Sequence, residues 1–258
     1  MLDFMVLSEL LNWSLPLGVN ALCSTRQGGV SQPPFDSWNL GDHVGDNPVA
    51  VANNRQHLQA QLGSARPVFL NQVHGMDVLQ LSPETLDGET ADACVTTHTQ
   101  LACTIMVADC LPLLITDDQG RAVAAAHAGW RGLAAGVIEK TVHAVCAQAQ
   151  VGSTSLQVWL GPCIGPTAFE VGEEVREVFV NTDPLAHACF VKHPTHQNKW
   201  LANLSALARQ RLNALGVVSV AGNDGSWPWC TVAQSSRFFS YRRDGRTGRF
   251  AACIWRSA

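Results

Sequence analysis

Residues 101–128 read LACTIMVADCLPLLITDDQGRAVAAAHA. The stretch holds three short apolar, β-rich runs, Cys103–Val107, Leu113–Thr116 and Ala122–Ala126. Runs of this length bounded by polar residues and proline read as strands rather than as buried helix. Asp109 and Pro112 interrupt the longest apolar tract, Leu101 to Ile115, which falls short of the ~18 apolar residues of a membrane span. Val68–Leu70 and Val78–Leu81 before it, and residues 156–160 after it, read as further strands.

Helical segments stand between and around these runs. Asn47 offers an N-cap, Pro48 suits the first turn and Gly63 a terminator, with Val51, Leu58 and Leu62 as an apolar stripe. Arg55 falls inside that stripe, so it must be paired, snorkelling or aimed at a ligand. Residues 133–149, 170–180 and 200–215 read as helices, the last ended by Gly216. The tail FFSYRRDGRTGRFAACIW reads as a hairpin around Asp244 and Gly245. Residues 24–48 are rich in turn formers, yet Phe35, Trp38 and Leu40 imply a packed, ordered loop. The expected fold is α+β (mixed α/β), with mixed β-sheets flanked by helices in one domain spanning residues 1–258.

Composition narrows the function classes. The 258 residues carry 17 Lys and Arg against 21 Asp and Glu, a net charge of −4, which disfavours a basic nucleic-acid or membrane-surface binder. Only 15% of residues are charged, and eight Trp and nine Phe point to a substantial core. The first 25 residues hold Asp3 and Glu9 but no Lys or Arg, so the positive region of a signal peptide is missing. Nine cysteines, an odd number without a Cys-x-x-Cys pair, favour reduced thiols over a disulfide framework. A soluble cytoplasmic monomer is expected, with small-molecule partners and neither nucleic acid nor membrane.

Three segments, NQVHG, ADCLP and HAGWRG, each place a metal-type ligand beside a turn residue at the end of an apolar run. His74, Cys110 and His127 together make two imidazoles and one thiolate, a set that suits catalytic zinc with one position left open. Their separations match no short local zinc motif. Taken singly, each reads as an ordinary core residue; taken together, they read as a site. A metal-free alternative makes Cys110 a nucleophile with His127 or His74 as its base.

NQVHG, ADCLPLL, HAGWRG, GPCIGPTAFEV and FFSYRRDGRTGR, together with TRQGGVS, NLGDHVGD and NNR, resemble the YfiH-like family from about Thr25 to about Ile254. Its members have been called polyphenol oxidases, purine nucleoside phosphorylases and peptidoglycan editing factors. The resemblance implies a YfiH-like cysteine hydrolase fold and a zinc site at His74, Cys110 and His127. It also implies phosphorolysis of adenosine, inosine and methylthioadenosine, with deamination of adenosine. The expectation is therefore a zinc-dependent purine nucleoside phosphorylase, with purine nucleosides and phosphate as its partners. The alternatives are a peptidoglycan-precursor editing enzyme, a copper-dependent laccase-like polyphenol oxidase and a structural metal site. Against copper oxidation, the nine histidines are scattered and include no His-x-His pair.

Phosphorolysis needs positive charge to neutralise an anion held against the sugar. Arg55 is the leading candidate and Arg131, after His127, the next, although Arg131 could instead stack on Trp130. Arg242 and Arg243 diverge on a regular strand, so only one reaches a shared site, and Arg243 is taken as the substrate contact. Asn39, in the NLG motif of the glycine-rich loop, is taken as a further substrate contact. The pair His193 and His196 reads as a surface loop able to pick up adventitious metal, and Glu170 as a helix-start carboxylate.

Overall fold

Two sheets frame the molecule, and the 101–128 stretch contributes to both. One sheet has four strands in the order β1 (Val19–Cys23), β13 (Phe250–Arg256), β5 (Leu101–Val107), β2 (Arg66–Phe69). It is antiparallel except for β2 beside β5. The other has six in the order β12 (Ser219–Gly222), β8 (Leu156–Leu160), β6 (Leu111–Asp117), β7 (Val123–Ala128), β4 (Ala93–Thr96), β3 (Val78–Gln80). Its centre is antiparallel and both outer pairs are parallel. This computed structural model describes residues 13–257, so Asp3 and Glu9 lie outside the described residues.

Burial on both faces explains the continuous apolar runs. Leu114, Val123 and Ala125 point between the sheets, against Val68, Cys103, Ile105 and Ile254. Leu113, Ile115, Ala124 and Ala126 point the other way, against Ile138, Val142 and Val145 of one helix and Leu207 and Leu212 of another. A strand buried on both sides loses the alternation of polar and apolar residues that marks a half-exposed one. On the outer face of the four-stranded sheet, Leu58 and Leu62 meet Ala102, Met106 and Cys253. The layers are therefore helix, sheet, sheet, helix. Mixed sheets flanked by helices are what the sequence implied.

Helix α1 (Pro48–Gln61) is capped by Asn47, whose side chain accepts from the Val49 and Ala50 N–H groups. Its buried Asn54 donates to the Ser37 and Asn39 carbonyls and accepts from Val30 N–H. That one amide staples the glycine-rich loop to α1, and Phe35, Trp38 and Leu40 are buried beneath it.

Several sequence expectations need correction. Residues 133–149 fall in two helices, α2 (Trp130–Ala135) and α3 (Val137–Ala149), because Gly136 adopts φ 100° between them. Residues 170–180 begin as strand β9 (Glu170–Gly172) before helix α4 (Glu173–Thr182). Residues 200–215 begin in strand β11 (Lys199–Ala202), and Asn203 caps helix α5 (Leu204–Ala214) by accepting from Ala206 N–H. Strands β9 and β11 join β10 (Phe190–Lys192) in a small antiparallel sheet. The tail is not a hairpin. Ser240 caps a helical turn, α6 (Tyr241–Asp244), and β13 pairs with β1 and β5 instead of folding back on its own approach. No helix among the described residues is long and apolar enough to cross a membrane.

Candidate metal centre

Strand pairing assembles the site from distant residues. In the β6–β7 pair, Leu111 sits opposite Ala128, which puts Cys110, just before β6, at the same end of the sheet as His127. In the neighbouring pair Ala93 sits opposite Ala126, so Asp92, just before β4, comes beside His127. His127 N–H donates to the Asp92 carbonyl at 2.7 Å, and His127 Nδ1 lies 2.7 Å from Asp92 Oδ1. His74 stands on the loop between β2 and β3 in the left-handed region, φ 61°. That strained loop is held by the same carboxylate: Asp92 accepts the N–H groups of Val73, His74 and Gly75 at 3.1, 2.9 and 2.6 Å.

The ligand atoms of His74, Cys110 and His127 lie within 4.8 Å of one another. Cys110 Sγ is 3.7 Å from His74 Nε2. With His127 Nδ1 engaged by Asp92, its Nε2 is the nitrogen left to serve the site, an arrangement typical of metal-binding histidines. Burial opposes ionisation of Cys110, but His127 and His74 outweigh it and bring the thiol down to about 6. Burial likewise opposes charge on His127, yet Cys110 and Asp92 raise it to about 9. Asp92 is held below the usual carboxylate range: burial pushes it up, and the His127 and backbone N–H contacts prevail.

Gly129, between His127 and α2, leaves the room this donor set needs. A Cβ there would lie 2.9 Å from Cys110 Sγ and 2.8 Å from His74 Cδ2. Gly132 is required for a related reason, since its Cβ would lie 2.7 Å from the Gly75 carbonyl. Two imidazoles and a thiolate around a glycine-lined gap fit a borderline divalent cation such as zinc, or copper.

The three donors open onto a cleft of about 500 Å³, a size typical of small-molecule sites. Trp130, Phe169, Tyr241 and Met106 supply apolar surface, and Arg131, Arg242 and Arg249 supply charge. Asp109, also in the lining, adopts φ 98°. Its two oxygens accept from Thr231 Oγ1 at 2.5 Å and Arg242 N–H at 2.6 Å.

The structure brings His74, Cys110, His127 and Arg131 to this cleft, and it leaves Arg55, Asn39 and Arg243 elsewhere. Arg55 lies over the Phe69 ring at 4.1 Å, donates to the Leu40 carbonyl and pairs with Asp42 at 3.1 Å. The inward stripe of α1 instead carries Asn54. Asn39 is fully buried, with its side chain held by Gly41, Asp46 and Arg249 N–H. Arg243 donates to the carbonyls of Thr231, Val232 and Phe238 and pairs with Asp244, closing a loop. Of the two adjacent arginines it is Arg242 that lines the cleft.

Sequence reading missed Asp92 and Arg249. Asp92 has no motif of its own; its position before β4 becomes informative only once β4 is paired with β7. Arg249 was one of several arginines in the tail, and its place follows from β13 running back beside β5.

Comparison with known proteins gives a consistent picture. Residues 20–257 match the family described as multi-copper polyphenol oxidoreductase laccase. The chain is 49% identical over 244 residues to the Escherichia coli (strain K12) protein named purine nucleoside phosphorylase YfiH, covering 94% of this chain and 96% of that one. The Pseudomonas aeruginosa purine nucleoside phosphorylase PA4543 is also 49% identical, over 95% and 96% of the two chains. Among solved structures, Neisseria meningitidis protein NMB0706 superposes with a TM-score of 0.88 at 45% identity, over 96% of this chain and 98% of that one. YlmD from Geobacillus stearothermophilus superposes with a TM-score of 0.84 at 30% identity, over 94% and 93%. With its sequence matched almost end to end and its fold shared, the chain belongs to the YfiH-like multi-copper polyphenol oxidoreductase laccase family.

Proposed function

We propose that the protein is a zinc-dependent purine nucleoside phosphorylase. The observation that carries this reading is the convergence of His74, Cys110 and His127 on a cleft walled by aromatic rings and arginines. The names of its relatives point the same way. When bound, Zn²⁺ would be held by His74, Cys110 and His127 and would supply Lewis acidity there.

The protein's own groups have separable tasks. Trp130, Phe169 and Tyr241 offer aromatic surface to the purine. Two of the arginines brace those walls. Arg131 lies 4.5 Å over the Trp130 ring; Arg242 lies 5.6 Å over Phe169 and donates to the Glu170 carbonyl. Arg249 differs in depth: Arg131 and Arg242 are exposed, whereas Arg249 is half-buried, with its Nη1 donating only to the neutral Thr247 and Gly248 carbonyls. Burial disfavours charge on Arg249, and the negative charges of Cys110 and Asp109 offset that only in part. Arg249 therefore holds phosphate against the anomeric carbon while the purine departs.

Adenosine, inosine and methylthioadenosine are the proposed substrates. Adenosine deamination is a proposed second activity of the same cleft. Deamination calls for a proton-carrying side chain. Among the described lining residues the one carboxylate is Asp109, and both of its oxygens are engaged. His43, also in the lining, is a second group able to carry a proton, so phosphorolysis is ranked first on the names of the relatives. The test is incubation of zinc-loaded protein with adenosine or inosine and phosphate. Free base plus ribose 1-phosphate is the expected product; no turnover of either nucleoside overturns the reading. Inosine formed from adenosine without phosphate identifies the deaminase.

Copper-dependent phenol oxidation is a second reading, favoured by the description of the family that the chain matches. Two imidazoles and a thiolate are the core ligands of blue-copper centres. An intense visible charge-transfer band on copper loading, with phenol turnover, selects it. Nine free cysteines agree with a working place in a reducing compartment.

A further inference from the structure

We propose that Glu170, His193 and His196 form a second transition-metal site, outside the cleft, for a divalent ion such as Zn²⁺ or Cu²⁺. One ligand atom from each lies within 4.8 Å of the others. Glu170 Oε2 is 2.6 Å from His196 Nδ1 and 3.4 Å from His193 Nε2. The two imidazoles stack with centroids 4.3 Å apart and planes 8° from parallel, so both present a nitrogen to the same carboxylate oxygen.

The donors come from separate segments. Glu170 opens β9, while His193 and His196 sit in the turn joining β10 to β11. That turn is itself closed by His193 N–H donating to the Lys199 carbonyl and Lys199 N–H to the His196 carbonyl. Two imidazoles and one carboxylate are a common set for borderline divalent metals, with positions left for water or a ligand.

Binding requires each neutral ring to carry its proton on the nitrogen away from the ion. For His196, whose side chain is 60% exposed, the far nitrogen is Nε2. For His193 it is Nδ1, and the Thr195 hydroxyl 3.3 Å away accepts that proton. The opposing cost is the loss of two contacts that His193 Nδ1 now accepts, from Thr195 N–H at 3.3 Å and His196 N–H at 3.1 Å. The Thr195 contact is long and the His196 contact is of ordinary length, so the exchange costs about one hydrogen bond.

The site adjoins the cleft without belonging to it. Phe169, next to Glu170, lines the cleft, and Arg242 reaches from the cleft to the Glu170 carbonyl. A bound ion ties the β10–β11 turn to the strand that carries this wall.

The test uses untagged, metal-stripped protein, reloaded with Zn²⁺ at micromolar free concentration and assayed for bound metal. Two ions per chain are expected in the wild type and one each in Cys110→Ala and in His196→Ala. Copper loading of Cys110→Ala isolates the second site. Its electron paramagnetic resonance should show nitrogen coupling that is lost in Cys110→Ala/His196→Ala and altered in Cys110→Ala/Glu170→Gln. His196 is exposed, and circular dichroism checks that each variant is folded. The inference is overturned if Cys110→Ala binds no more metal than Cys110→Ala/His196→Ala, or if Glu170→Gln leaves affinity within twofold of its parent.

Discussion

The two ends of the β6–β7 hairpin use one device for different purposes. At one end the buried Asp117 accepts the N–H groups of Gln119, Arg121 and Ala122 at 3.2, 2.7 and 3.0 Å, with Arg121 Nε at 2.8 Å. At the other the buried Asp92 accepts three N–H groups from the His74 loop and meets His127. Each carboxylate folds a short loop onto itself. The difference is the fourth partner: Arg121 is half-exposed and leads to solvent, whereas His127 is buried and leads to Cys110. The same loop-closing carboxylate therefore builds a plain turn in one place and aims a candidate metal ligand in the other.

The largest expected effect is from Cys110→Ala, which removes the thiolate and should lower turnover on the order of 10³-fold or more, given the several kcal/mol a catalytic metal supplies. Zinc content at the cleft should fall with it, and retention of both metal and rate would break the contrast between the hairpin ends.

Next comes Asp92→Asn. Neutralising the carboxylate that orients His127 and the His74 loop should weaken metal binding or activity about 10- to 100-fold. Competition with a chromophoric chelator measures it. The matched Asp117→Asn variant should leave metal affinity at the wild-type level, and an equal loss in both variants would dissolve the distinction.

Arg249→Met should raise the KM for phosphate about tenfold or more, as expected for loss of one charged hydrogen bond. Arg55→Met, outside the cleft lining and already paired with Asp42, should leave that KM alone. An unchanged phosphate KM in Arg249→Met removes this residue from the anion role.

The smallest effect is on stability. Asp117 is held below the usual carboxylate range, since its N–H and Arg121 contacts outweigh the opposing push of burial. Its stabilisation is complete above the ordinary carboxylate value of about 4 and is lost as pH falls toward its lowered one. Asp117→Asn should cost about 1 kcal/mol at neutral pH and flatten the acid limb of a denaturant-midpoint profile. An acid limb as steep as the wild type's would place the titration elsewhere.

What the sequence disclosed followed chain locality. The strand-forming runs and the Asn47–Pro48 helix start were legible because neighbours along the chain determine them. The clustering of His74, Cys110 and His127 was legible because each lies within two residues of a glycine or proline near the end of an apolar run. Asp92, Arg249 and the meeting of Glu170 with His193 and His196 depend on strand pairing, which no local pattern encodes. Of the outcomes open to Arg55, the structure shows the paired one, with Asp42, while the buried polar Asn54 beside it is something apolar periodicity overlooks.

Leu113, Leu114 and Ile115 each belong to a different side of β6 from their neighbours, and every one of those sides is full. Sliding β6 past β7 by one position would turn each side chain into space shaped for another, so the pairing is locked. The placement of Cys110 beside His127 is thereby inherited from the hydrocarbon interior three to five residues further along β6. Lengthening the chain at the Asp117 end should be harmless to the chemistry, while one residue added within β6 should abolish it.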